Sequence, residues 1–304
     1  MNRKEFISKS ALGALGLLTY SSWLSCSLTR AKTQPLSVSS GQLQNVRGNV
    51  YRFNNGGGTV GVLENRDGFV IIDSQFPKQI SPLVESIKSS NKEVLYLANT
   101  HHHADHTSGN LAFKDIARKV VAHHKVPELQ RQSAVERNNL AEQYYPTELF
   151  DEIYKFELRG DRVTGYHFGA GHTQGDAVYY FENDGVVHLG DLMFINMIPV
   201  YRPKDGANAR TWVQILDKVL LTFPEDTLYI FGHADTPENT VGTKTQIKEM
   251  RSFLAESIEF VQSKKAQGIS PDQITQHNQF IPGFKNRTTP SRWPDYVKGL
   301  YDTI

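Results

Sequence analysis

Residues 99–110 read "NTHHHADHTSGN", with four histidines and an aspartate inside six positions. Neutral imidazole and carboxylate are the nitrogen and oxygen donors that suit zinc, at about 2.0–2.2 Å. In an extended or turning segment, His101 and His103 point the same way, at period two, and can clasp one ion. Asp105 and His106 follow in a turn and point towards a second. His102 faces away from its neighbours and reads as a structural or pocket-lining residue. Three other segments offer donors of the same kind: "GAGHTQGD" with His172 between glycines, "VVHLGD" with Asp191 at a strand end, and "YIFGHAD" with His233 at another. Glycine neighbours let the backbone come close to a bound group. The one cysteine, Cys26, rules out a thiolate metal site.

Taken in order, His101-X-His103-X-Asp105-His106, "GHT" with His172, "LGD" with Asp191 and "FGH" with His233 resemble the metallo-β-lactamase superfamily over roughly residues 48–262. The resemblance implies an α/β fold, a four-layer αββα sandwich of two mixed sheets with helices outside and metals at one edge. It also implies the ligand roles. His101, His103 and His172 would hold one metal, Asp105, His106 and His233 the other, and Asp191 would bridge them as in the glyoxalase II type. Asp105 would also orient the attacking hydroxide. Asp73, at the end of "FVIID", matches the family's "IDS/T" position and would steady the metal loop from behind. The zinc β-lactamases proper carry cysteine or serine near the place of Asp191, so this pattern favours lactonases and general hydrolases.

The chemistry accounts for the residue types. Zinc lowers the pKa of a water it binds to about 7, and two ions about 3.5–4 Å apart share one hydroxide while polarising a carbonyl. A carboxylate spans such a gap better than an imidazole. Two Zn2+ per chain are therefore expected, although the same donors also hold iron or manganese.

Donors need rigid carriers, and the sequence supplies strands that stop where the donors begin. "NVYRFN" and "TVGVLEN" flank a glycine-rich turn, a hairpin pattern. "FVIID", "EVLYLANT" and "TLYIFGH" are apolar strands that release polar residues at their C-terminal ends, where open α/β sheets commonly place their sites. "SPLVESIKSS", "NLAFKDI" and "TWVQILDKVL" have helical spacing, and "TQIKEMRSFLAESIEFVQSKKAQG" is a long amphipathic helix closed by Gly268. Residues 127–150 read as a solvated helix or a lid. The last 35 residues hold Pro, Trp and Tyr without clear periodicity and read as a helical extension. The tip "NNGGG", residues 54–58, reads either as a flap over the site or as a plain turn. Tyr201 and Arg202 are within reach of a substrate or are ordinary surface residues, and they stay outside the catalytic set.

The chain has 304 residues with 33 Lys+Arg against 32 Asp+Glu, so no basic face for nucleic acid is expected and the partner is a small-molecule substrate. "MNRKEF" followed by the short apolar run "ALGALGLLTY" reads as a signal peptide, too short to span a membrane. "NRKEFISK" resembles a twin-arginine export signal, and "WLSC" resembles a lipoprotein cleavage site that would put a lipid anchor on Cys26. The expected organisation is a signal peptide at 1–26, a tether at 27–47 and a catalytic domain at 48–304, with a periplasmic address.

The leading expectation is a binuclear zinc hydrolase of an ester, lactone, thioester or cyclic amide. A periplasmic β-lactamase, an iron-dependent oxidoreductase like the persulfide dioxygenases, and a metal-binding module without turnover are the alternatives. Glyoxalase II itself fits less well. Its glutathione substrate is cytosolic, and its basic glutathione-binding set is not evident in the C-terminal part.

Overall fold

The computed structural model describes residues 36, 38, 42–287 and 289–304. The leader expected at 1–26, with Cys26, and most of the following stretch to residue 41 lie outside the described residues. The first sheet has seven strands in sequence order: β1 (Leu43–Arg47), β2 (Val50–Phe53), β3 (Val60–Glu64), β4 (Gly68–Ile72), β5 (Glu93–Ala98), β6 (Ala117–His123) and β7 (Glu148–Phe150). Pairing is antiparallel from β1 to β4 and parallel from β4 to β7. Helix α1 (Pro77–Ser89), the single turn α2 (Ala104–Thr107) and α3 (Val126–Glu136) form the crossovers.

The second sheet is built from β8 (Ile153–Lys155), β9 (Val163–Tyr166), β10 (Val178–Phe181), β11 (Val186–His188), β13 (Leu228–Ile230) and β15 (Val241–Gly242), in the order β15-β13-β11-β10-β9-β8. It is antiparallel except where β11 and β13 run parallel. A two-stranded parallel ribbon joins β12 (Phe194–Ile195) to β14 (His233–Ala234). Helices α4 (Ala209–Thr222), α5 (Lys244–Ala266), α6 (Pro271–His277) and α7 (Trp293–Thr303) complete the chain. Among the described residues no helix is long and apolar enough to cross a membrane.

Three apolar clusters define four layers. Val70 and Ile72 of β4 meet Tyr179, Phe181 and Ile230 of the second sheet in the middle cluster. Phe69 and Ile71, alternating with them, face Ile80, Leu83, Val84 and Ile87 of α1. Those four helix positions follow the i, i+3, i+4, i+7 spacing that makes one apolar stripe. A third cluster joins the second sheet to Trp212, Ile215, Leu216 and Val219 of α4, which repeat the same spacing, and to α5 and α7. Strands buried on both faces read as unbroken apolar runs, which is why "FVIID" and "EVLYLANT" show little alternation. The two mixed sheets with helices outside are the αββα arrangement expected.

Some local expectations shift. Strand β1 lies inside the stretch read as a tether to residue 47, and it pairs with β2, so the sheet begins before residue 48. Its side chains are only partly buried, so it carries weak hydrophobic contrast. "NLAFKDI" forms a short 3-10 turn over Ser108–Phe113 in place of a full helix. Residues 127–150 hold α3 and then return to the sheet as β7. The C-terminal region does have periodicity: Trp293, Tyr296, Val297 and Leu300 are buried along one stripe of α7. We expect Trp293→Ala, which removes a side chain only 4% exposed whose Nε1 donates to Asn278 O at 2.6 Å, to lower stability by about 3–5 kcal/mol. Leu221→Ala, at a position 86% exposed, should stay within about 0.5 kcal/mol of the parent. Thermal unfolding midpoints of the two variants provide the check.

Candidate metal centre

The chain leaves β5 at Ala98, bends through Thr100, His101 and His102, then makes the single turn α2. His103 itself is extended, with φ −61° and ψ 149°. The rings of His101 and His103 therefore come to one side, with centroids 4.7 Å apart. Strands β4, β11 and β13 end at the same edge and deliver Asp73, Asp191 and His233. His172 arrives from the loop before β10, on which Asp176 accepts hydrogen bonds from the backbone N–H groups of Gly171, His172 and Thr173. Two glycines permit the close approach: a methyl at Gly58 would overlap the His106 ring, and one at Gly232 would overlap Asp191 Oδ1. The "NNGGG" tip thus packs directly on the cluster.

All seven expected donors are brought together. Ligand atoms of His101, His103, His172 and Asp191 lie within 4.8 Å of one another, as do those of Asp105, His106 and His233. Asp191 stands between the groups. Its Oδ2 is 3.5 Å from His172 Nε2 and 3.4 Å from His233 Nε2, and its Oδ1 is 3.0 Å from His106 Nε2. His233 Nε2 is also 3.0 Å from Asp105 Oδ2.

The outer ring atoms fix which nitrogens face inward with a lone pair. Thr100 Oγ1 donates to Asp73 Oδ2 at 2.8 Å, so it accepts from His101 Nδ1 at 3.0 Å. His106 Nδ1 donates to Asp73 Oδ2 at 2.7 Å, and His103 Nε2 donates to Asp205 Oδ2 at 2.9 Å. His101 Nε2 and His172 Nε2 each sit 3.0 Å from His103 Nδ1. Three nitrogens so close cannot all be satisfied by one shared proton. Asp191 Oδ1 is buried without a hydrogen bond of acceptable geometry. Converging lone pairs beside a buried carboxylate are the donor set of a divalent cation, with ring partners of the kind that orient metal-binding histidines.

Burial and charge act differently on each ring. Burial pushes His101 and His172 well below the ordinary histidine value and His102 down to about 3. Burial also opposes charge on His106 and His233, but there the carboxylates win. Asp191, Asp73 and Asp105 hold His106 well above its ordinary value, and Asp191 and Asp105 lift His233 to about 9. The same contacts hold Asp105 and Asp191 below the carboxylate range against their burial.

Asp73 sits behind the cluster, where its Oδ1 also accepts from Thr100 N at 2.8 Å. Its backbone has φ 67°, a left-handed conformation that costs a non-glycine residue of order 1–3 kcal/mol and persists where surroundings over-determine it. Three participants escaped sequence reasoning. Asp205 lies in "RPKDG", which reads only as a turn. Asp176 closes "GHTQGD", a segment quoted for its histidine alone. Thr100 is one residue before the triplet. His102 lines a pocket beside Gln130, Ser133 and Arg137 but does not face away from its neighbours: its ring lies 4.6 Å from that of His103 and its Nε2 3.9 Å from Asp205 Oδ2, so His102, His103 and Asp205 form a third group of donors. His188 spans from Thr59 O, at 2.9 Å, to Gly190 N and braces the Asp191 turn. His123, His124 and His167 form a ring stack of their own, apart from the seven-donor groups.

The chain is similar to hydroxyacylglutathione hydrolases from Methylococcus capsulatus, 24% identical over 63% of this chain and 68% of that protein, and from Rhodospirillum rubrum, 26% identical over 54% of this chain and 57% of that protein. It thus spans only about three fifths of the Rhodospirillum protein's length. Among solved structures, a sec-alkylsulfatase from Pseudomonas superposes with a TM-score of 0.69 at 14% identity, covering 86% of this chain and 50% of that one. A metallo-β-lactamase from Pontibacter korlensis superposes with a TM-score of 0.54 at 19% identity, covering 70% and 98%. These likenesses show the shared fold. The family model of the metallo-β-lactamase superfamily matches residues 54–233, the span that carries every one of the seven donors, and the chain belongs to that superfamily.

Proposed function

We propose that the protein is a binuclear zinc hydrolase that cleaves an ester, lactone, thioester or cyclic amide in a small molecule. The observation that carries the reading is the meeting of seven imidazole and carboxylate donors in two groups, with Asp191 of the first also 3.0 Å from His106 and 3.4 Å from His233 of the second. On this reading His101, His103 and His172 hold one ion, Asp105, His106 and His233 the other, and Asp191 touches both. Nitrogen and oxygen donors without thiolate suit zinc best, with iron or manganese as the other metals the set accepts. Bound ions would supply Lewis acidity and a water acidified to near neutral pH.

The chain's own residues do the rest. Asp105 is the more exposed of the two inward carboxylates, with 27% of its side chain accessible against 4% for Asp191. It stays ionised and is placed to orient a water at the mouth of the site. Asp205, Asp73 and Thr100 hold three rings in the tautomer that presents a lone pair inward. Similarity to hydroxyacylglutathione hydrolases supports hydrolysis of an acyl compound. The β-lactam alternative rests on the fold alone. The leader expected at residues 1–26 supports a periplasmic address, and Cys26 supports a lipid anchor there.

Metal analysis of protein purified without added metal should find about two zinc ions per chain; one iron would favour oxygen chemistry instead. Asp191→Ala should lose metal and rate together, and an unchanged zinc stoichiometry in that variant would refute its shared role. A chromogenic panel of esters, lactones, thioesters and cephalosporins then tests the substrate class. Turnover of the cephalosporin alone would favour the lactamase reading.

Two further outcomes follow from the ring chemistry. Asp205→Asn should weaken zinc binding by about 10–100-fold while leaving the fold intact, because His103 loses the partner that sets its tautomer. His106 and His233 carry protons at neutral pH in the metal-free chain, and ligation displaces them. Zinc affinity should therefore rise by at least about tenfold per pH unit up to pH 9, the value near which His233 titrates. Chelator competition at several pH values measures this, and a flat profile would contradict it.

A further inference from the structure

Three histidines outside the metal centre gather where strand ends of the two sheets come close. His123 closes β6 of the first sheet, His124 follows it, and His167 directly follows β9 of the second. The rings of His123 and His167 lie face to face, with centroids 3.8 Å apart and planes 15° from parallel, and the His124 ring leans on His123 at 4.3 Å. His123 is only 3% exposed. Hydrogen bonds fix the tautomers: His167 Nδ1 donates to Asp176 O at 2.7 Å, and His123 Nδ1 accepts from Lys125 N at 3.4 Å. The stack is thus built from neutral rings, with the proton of His167 on Nδ1 and that of His123 on Nε2.

A proton added to this stack meets an unfavourable field. His124 and Lys125 face it from the end of β6 and the start of α3, and Lys218 faces it from α4, where its Nζ donates to Phe168 O at 3.1 Å. Against them stand Asp151, 2.6 Å from His124, and Glu152, whose backbone oxygen accepts from His167 N at 2.8 Å. The Asp176 carboxylate is occupied by the N–H groups of Gly171, His172 and Thr173. Burial, and after it the His167 and His124 rings, push His123 down to about 3, and burial lowers His167 as well. An unfolded histidine titrates near pH 6.5, so below about that value an opened form takes up protons that the closed stack refuses. The stabilisation is fully present above that pH and is lost as pH falls towards 3, the value near which His123 titrates.

We propose that His123 and His167 form an acid-sensitive latch, which holds the 171–176 loop, and with it His172, in place only while both rings are neutral. The connection is short. His167 binds the backbone oxygen of Asp176, and the Asp176 side chain binds the three residues that present His172. Protonation of both rings sets two like charges face to face. The rings then separate, the bond from His167 to Asp176 loosens, and the loop gains freedom. Metal retention falls faster with acid than protonation of the ligands alone dictates. The latch stands on the ring geometry and the hydrogen bonds of the loop, and does not depend on which reaction the centre catalyses.

Hydrogen–deuterium exchange of the full chain in excess zinc reads the loop directly. After correction for the intrinsic pH dependence of exchange, the 171–176 loop of the parent should lose at least about fivefold of its protection between about pH 7.5 and 5.5. His123→Phe keeps an aromatic face but cannot take a proton, so its loop should lose less than about twofold over the same range. His167→Phe breaks the bond to Asp176 and should leave the loop poorly protected at both pH values. Lys125→Gln removes a cation facing His123 and should move the transition to lower pH; it remains informative if His123→Phe does not fold. A parent loop equally protected at both pH values would overturn the latch. So would an acid loss of the same size in His123→Phe, since protonation of His172 and its fellow ligands would then account for it. An unmoved transition in Lys125→Gln would count equally against it.

Discussion

Asp191 is a carboxylate buried to 4% exposure, and a charge taken out of water is stable only where opposite charge or directed donors replace the lost hydration. Four imidazoles approach it within 4 Å: His101, His106, His172 and His233. The rest of the edge exists to bring them there. Strand ends from both sheets meet at this point, and glycines at 58 and 232 stand where any side chain would displace a ring or the carboxylate itself. The unusual backbone at Asp73 belongs to the same constraint. Its carboxylate accepts three hydrogen bonds, two from Thr100 and one from the His106 ring, and those bonds offset the cost of its left-handed conformation.

Four of the histidine donors divide into two electrostatic populations. His101 and His172 lie deep and are kept neutral by burial, so their lone pairs are ready. His106 and His233 sit among three carboxylates and are kept charged. Cation binding then exchanges protons for metal charge at the same positions, so folding, protonation and ligation are linked in one place.

Beyond residue 233, where the family match ends, the chain adds α5, α6 and α7. This arm is integrated into the site and not appended to it. Arg287 donates to the backbone oxygens of Phe194 and Met197 at 2.9 and 2.8 Å, and its guanidinium lies over Phe253. Phe194 in turn contacts the rings of His172 and His233. The common core thus supplies the donors, while the arm sets what surrounds the mouth of the cluster.

The residues of the sequence determine the donors and their order, since each motif is local: His101 to His106 is one unbroken stretch, and His172, Asp191 and His233 each follow a readable strand or loop. The layer order and the helices with strong stripes, α1, α4 and α5, are legible for the same reason, because burial of one face imprints a short period on the chain. Strands of two or three residues such as β12, β14 and β15 are not, as they are too brief to show any period. Only the tertiary structure decides the partners behind the rings. Asp205 reaches His103 across 102 residues and reads in isolation as a turn. Such contacts depend on which strand ends lie side by side, and pairing between distant segments leaves no spacing in the sequence for a local reading to detect.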